Sequence, residues 1–90
     1  MSTTYTVLAT NGTPQLVRAN AVSAPFTVTL YTAVGYAGYT VTVKKVDATA
    51  NTVTVATTGG QTIDGGTTFS IVGPQNSFTF VSDGTNWNVI

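Results

Sequence analysis

The chain predicts an all-β protein, a small antiparallel β-sandwich or barrel, or a β-prism, of seven to nine short strands. Three features carry that expectation. Threonine and valine alternate in Phe26-Thr27-Val28-Thr29-Leu30, in Tyr39-Thr40-Val41-Thr42-Val43 and in Asn51-Thr52-Val53-Thr54-Val55. Such alternation puts branched apolar side chains on one face of a strand and hydroxyls on the other, the period of a half-buried sheet. The chain also holds twenty threonines and no window with the 3, 4, 7 apolar spacing of an amphipathic helix, and threonine fits a pleated, half-buried surface. Finally, only 7% of the residues are charged, against about 25% in an ordinary soluble domain. A solitary β protein guards its edge strands with lysine, proline or inward charges, so a chain this poor in them is expected to set its edges against copies of itself.

Taken in order, Tyr5 to Ala9 reads as a first strand, ended by Asn11-Gly12-Thr13-Pro14, whose Asn-Gly pair makes a tight turn. Gln15 to Arg18 follows as a short strand, and Ala19 to Ala24 fits neither pattern. Pro25 holds Ala24 extended before the next strand. That strand, Phe26 to Thr32, places Phe26, Val28 and Leu30 on one face and Thr27, Thr29 and Tyr31 on the other.

Val34 to Gly38 is a glycine-flanked loop with Tyr36 at its tip, a place for a binding contact. The strand from Tyr39 to about Val46 loses parity near its end, because the Tyr39, Val41, Val43 face continues onto Lys45. A bulge or strand end there accounts for the switch, and Lys44-Lys45 then turns into solvent, where lysines are usually found.

Asp47 to Asn51 has the length of a hairpin connection, so the strands on either side form a meander. After Thr52 to Thr57 come Gly59-Gly60, a short Gln61-Thr62-Ile63 strand, the turn Asp64-Gly65-Gly66, and Thr67 to Val72 with Phe69 and Ile71 inward. Gly73-Pro74 turns again. Phe78 and Phe80 share a face, Ser82 to Thr85 turns, and Trp87 and Val89 resume that face up to Ile90, which docks the end of the chain against the sheet. The three alternating strands start 13 and 12 residues apart, a spacing suited to a meander, prism or sandwich.

Ninety residues make a single domain, 1–90, that buries roughly 60–65% of its unfolded surface. There is no cysteine to reinforce it. A net charge of zero, with Arg18, Lys44 and Lys45 as the only cations, leaves no electrostatic footprint for nucleic acid. The first residues lack the basic and apolar stretches of a signal peptide. The uncharged run from Ala19 to Val43 is broken by Ser23, Pro25, Gly35 and Gly38, so no membrane span is expected and the protein reads as soluble.

Histidine, cysteine and glutamate are absent, which removes the commonest general base, the thiol nucleophile and half of the carboxylate supply. No acid, base and nucleophile set can be assembled, so no enzyme and no cofactor are expected. Asp47, Asp64 and Asp83 fall in turns, where a carboxylate caps backbone N–H groups. A shared calcium site would need several such loops to converge. The glycine pairs match neither phosphate-loop spacing. The recognition elements that remain are aromatic: Tyr31, Tyr36, Tyr39 and Trp87 are the candidate interaction residues, with Trp87 placed in the core or a subunit interface ahead of a sugar platform.

From Gly38 onward, Gly38-Tyr39-Thr40-Val41-Thr42-Val43-Lys44-Lys45-Val46-Asp47, Asn51-Thr52-Val53-Thr54-Val55, Gln61-Thr62-Ile63-Asp64-Gly65 and Val81-Ser82-Asp83-Gly84-Thr85-Asn86-Trp87 follow one another. This order resembles a β-structured module of bacteriophage virion proteins, found in tail fibres and small capsid-associated proteins. The resemblance covers residues 38–90, a meander, and leaves 1–37 as amino-terminal strands or an arm. It implies a homotrimeric structural module without catalytic residues. The partners it implies are sibling chains and the major capsid protein, on the capsid surface of a virion made in the host cytoplasm. One module without shaft repeats favours a decoration or cement protein. The alternative is a tail-fibre attachment module whose partner is a cell-surface glycan.

Overall fold

In a computed structural model, which describes residues 4–22, 24–73 and 75–90, the chain forms eight strands and, among the described residues, no α-helix. The strands are β1 (Thr4–Thr6), β2 (Gln15–Ala19), β3 (Phe26–Thr29), β4 (Thr40–Lys45), β5 (Val53–Ala56), β6 (Thr68–Ile71), β7 (Ser77–Ser82) and β8 (Trp87–Val89). The expected strand at Gln61-Thr62-Ile63 is reduced to two isolated bridges from Ile63, to Gly66 and to Trp87. Met1 to Thr3 and the Pro74 half of the Gly73-Pro74 turn lie outside the described residues.

Two four-stranded sheets result, ordered β1-β3-β5-β6 and β2-β4-β7-β8. The all-β expectation holds, but the antiparallel one is corrected. β1 with β3, β3 with β5 and β2 with β4 are parallel, whereas β5 with β6, β4 with β7 and β7 with β8 are antiparallel. Parallel neighbours need a crossover, and here each crossover is a strand of the opposite sheet. From β1 to β5 the chain therefore winds, laying successive strands alternately on one sheet and the other. One winding brings Phe26 into register with Val53, 27 residues further along.

The meander across Asp47 to Asn51 and the tight hairpin at Asn11-Gly12 do not form. β4 and β5 lie in different sheets, as do β1 and β2. The Asn11 segment is a single 3-10 turn, Ala9–Asn11, closed by Gly12 at φ 91°, a conformation that costs glycine little. Hairpins appear only later in the chain, at β5 with β6 and β7 with β8.

Alternation sorts the side chains as the sequence implies. Val28, Val53, Val55 and Ile71 from one sheet meet Val17, Val41, Val43, Phe80 and Trp87 from the other in one buried cluster. Burying such side chains contributes about 1.5–3 kcal/mol each before the entropic cost of ordering them. Phe69 of β6 stacks edge-on against Phe78 and Phe80 of β7, at 4.8 and 5.6 Å between ring centres, tying the far ends of the two sheets together. On the outer face of the first sheet the register aligns Thr4, Thr27, Thr54 and Ser70 in one row across all four strands, neighbours of the kind that stabilise a sheet.

Candidate binding surfaces

The sequence-derived aromatic residues come together. Tyr31, past the end of β3, packs its ring 5.2 Å from Trp87 of β8 and 5.5 Å from Tyr36, and Tyr36 lies 5.1 Å from Tyr39. The first two contacts are edge-to-face, the arrangement that aromatic quadrupoles favour. Two expectations change. Tyr31 does not follow the threonine face, because β3 ends at Thr29 and both Leu30 and Tyr31 turn inward, Tyr31 to 7% exposure. Tyr36 is not a projecting tip: the segment folds back, with Tyr36 N–H donating to the Ala33 carbonyl and Tyr39 N–H to the Tyr36 carbonyl, so its ring is half-buried.

Polar groups behind the rings fix this segment. The buried Gln61 side chain accepts from Ala33 N–H at 2.8 Å and donates to Thr32 Oγ1 at 2.7 Å. Ser82 Oγ donates to the Ala33 carbonyl, and the Trp87 indole N–H donates to the Tyr31 carbonyl at 3.2 Å. Trp87 is fully buried, which makes it a core residue. The Tyr31 hydroxyl is buried with no hydrogen-bond partner among the described residues. Burial, followed by the nearby Tyr39 and Tyr36 phenols, pushes its pKa up. Tyr36 and Tyr39 are the two members with rings partly in solvent.

A second constellation escaped the sequence reading. Lys45 does not turn into solvent. Parity on β4 never breaks, and Val41, Val43 and Lys45 all face inward, with Lys45 wholly buried. Its Nζ donates to Asp47 Oδ1 and to the Thr49 carbonyl, both at 2.6 Å. Asp47 also accepts from Ala21 N–H at 2.7 Å, Thr49 N–H at 3.0 Å and Thr49 Oγ1 at 2.5 Å. A buried charge persists only when paired and hydrogen-bonded, and this knot meets both conditions. The Lys45 ammonium, then the Thr49 hydroxyl, hold the Asp47 carboxyl well below the usual carboxylate range, against the opposing effect of burial. Asn51 Nδ2 donates to the Ala21 carbonyl at 2.7 Å. Together these bonds steer the chain from β4 across to the other sheet. The available signal was the uninterrupted parity, with an aspartate two residues after the inward lysine.

Of the other two aspartates, Asp83 caps its turn and Asp64 instead reaches from its turn to β8. Asp83 Oδ1 accepts from Thr85 N–H and Asn86 N–H; the Asn86 N–H, then that of Thr85, then the Asn88 amide lower its pKa. Asp64, at φ 50°, accepts from Val89 N–H. No three metal-ligating side chains gather among the described residues, and among those residues no helix is long and apolar enough to cross a membrane.

A third surface exists only because of the topology. β1 and β2, the terminal strands of their sheets, lie at the same end of the molecule and flank a groove of about 400 Å³ lined by Thr4, Tyr5, Gln15, Leu16, Val17, Arg18 and Phe26. Tyr5 is 43% and Leu16 61% exposed, and Leu8 close by in the chain is also exposed. Nothing in the alternation of Tyr5 or Leu16 singles them out, and isolated exposed apolar residues are ordinary. At the opposite end β8 is covered: Trp87 N–H donates to the Thr62 carbonyl and Asp64 N–H to the Trp87 carbonyl. Comparison with family models, curated proteins and solved structures finds no match.

Proposed function

We propose that the chain is a structural protein of a bacteriophage virion, a decoration or cement protein that stabilises the head by assembling as trimers on the capsid lattice. The order of segments from Gly38 to Trp87 supports the virion reading. The single structural observation behind it is the β1/β2 end, where two terminal strands and a groove of mixed apolar and polar lining lie together in a chain with six charged residues, two of them consumed in the Lys45–Asp47 pair. Terminal strands and apolar surface of this kind favour association with sibling chains and with the major capsid protein, and adsorption to a preformed shell needs no catalytic group.

The proposal is tested by adding purified protein to capsids that lack it and imaging the particles. Density on the shell at symmetry-related positions is expected. Particles that stay bare, or density confined to the tail, would remove the decoration reading. The attachment alternative draws on Tyr36 and Tyr39, whose half-exposed rings offer apolar surface and hydroxyls to a sugar. Binding to a glycan array that disappears with Tyr36→Ala is its signature.

A further inference from the structure

We infer that β2 is a docking edge for β2 of a second copy of this chain, the two strands lying antiparallel about a two-fold axis at Val17, so that the second sheet runs on from one molecule into the other. The backbone of β2 supplies the first observation. In a parallel ladder, residues that bond the neighbouring strand with both N–H and C=O alternate with residues whose groups point the other way. Val46 N–H donates to the Ala19 carbonyl, so Ala19, and with it Val17 and Gln15, bonds β4 in the register that joins Gln15 to Val41 and Ala19 to Lys45. The N–H and C=O groups of Leu16 and Arg18 therefore point away from β4, and nothing among the described residues pairs with them. Four consecutive residues of β2, Gln15 to Arg18, line the groove beside it. Because they alternate between the two faces of the strand, the groove runs along its edge and leaves room there for another strand.

The sequence of β2 selects its own copy as the occupant. Setting Leu16 opposite the partner's Arg18, Val17 opposite the partner's Val17 and Arg18 opposite the partner's Leu16 matches the strand over its full length, Gln15–Ala19. Each pairing of Leu16 with Arg18 then exchanges both backbone bonds, and the two-fold axis makes the contact the same for both chains. The neighbouring registers are poorer. Leu16 opposite Leu16 leaves Arg18 facing Pro14, which has no N–H, and Arg18 opposite Arg18 brings like charges together. In the matched register Arg18, the only charge on β2, lies across from Leu16, which is 61% exposed, and covers it with its apolar stem. The two guanidinium-bearing residues then sit on a diagonal, about 7–8 Å apart. Val17 meets Val17 on the inner face, so one core continues into the other. β1 takes no part in the strand pairing.

The contact goes beyond the proposed function: a trimer has no two-fold axis of its own, so this edge joins one trimer to the next, or two chains to each other, with or without a capsid. Sedimentation of the native protein, Leu16→Lys and Leu16→Glu tests it, with a melting curve for each variant to check that the fold is kept. The native chain is expected to associate in pairs as concentration rises. Leu16→Lys sets a second cation opposite the partner's Arg18 on both sides of the axis and should dissociate roughly tenfold more readily. Leu16→Glu sets a carboxylate there and should stay within about threefold of the native chain or associate more tightly.

A native chain whose mass is independent of concentration would overturn the inference and leave the edge to a strand of another protein. A Leu16→Lys chain that associates as the native does would overturn it too, as would a Leu16→Glu chain that fails as Leu16→Lys does, because the carboxylate would then face something other than Arg18. Should Leu16→Lys melt early, amide exchange of the native chain decides: the Leu16 and Arg18 N–H groups should gain protection as concentration rises, and unchanged exchange at both would overturn the pairing. A native chain that does not pair in solution yet coats capsids would remove this contact and leave the virion reading standing. One that pairs as described yet ignores capsids would do the reverse.

Discussion

At Lys45 a side chain that is almost never fully buried sits wholly inside the molecule, and its consequences are measurable. Replacing it with alanine leaves the Asp47 carboxylate without its main partner, and breaking such a pair costs about 3 kcal/mol or more. Urea denaturation should register that loss, while Lys44→Ala, next to it but on the outer face, changes stability by roughly 0.5 kcal/mol or less. The carboxylates set the acid limb. Asp47 and Asp83 both titrate lower in the folded chain than in the unfolded one, so the unfolded state binds protons first as pH falls. Their contribution is complete above the unfolded value of about 3.9, erodes as pH drops through it, and goes on falling toward the lowered native values. Denaturation curves between pH 6 and about 2.5 should follow this course, and Asp47→Asn should flatten it. A second core probe is Trp87→Ala, which removes the largest fully buried side chain and should cost about 3–5 kcal/mol.

At the level of elements, the alternating segments were legible and their partners were not. Phe26 to Leu30, Tyr39 to Val43 and Asn51 to Val55 are the cores of β3, β4 and β5, because alternation fixes which side chains face inward whatever lies alongside. It says nothing about neighbours. A five-residue connection from Asp47 to Asn51 looks like a hairpin until Lys45, Asp47 and Thr49 are seen to tie it down and send it to the other sheet. The aromatic candidates were likewise visible as residue types, but their meeting depends on Gln61 and Ser82 holding the Ala33 backbone. The loop that carries Tyr36 and Tyr39 also needs Gly38 at φ 87°, with its N–H bonded to the Ser82 carbonyl. Gly38→Ala should therefore cost about 1–2 kcal/mol and raise the mobility of both tyrosine rings, seen as faster amide exchange from Ala33 to Tyr39.

Across the whole molecule, the winding of β1 to β5 and the two later hairpins give the ends different characters. The carboxyl-terminal half closes its end with the Ile63 bridges and the Phe69, Phe78, Phe80 stack. The amino-terminal half ends the two sheets with β1 and β2, which flank a groove of mixed apolar and polar lining. The scarcity of charge pointed to strand edges with little charged protection, but which residues would line such an end could not be read, since Tyr5 and Leu16 line one groove only after the chain has wound. With a radius of gyration of 12.2 Å the molecule has the size of one compact body of this length, about 12 Å, so the open end is a local feature of a folded unit.

Residue-resolved amide hydrogen exchange of the native chain at low and high concentration tests this picture most directly. Raising the concentration should slow exchange in β2, from Gln15 to Ala19, and leave β8 and the Ala33 to Tyr39 loop unchanged. Exchange that is independent of concentration at β2, or protection that appears in β8 instead, would contradict it.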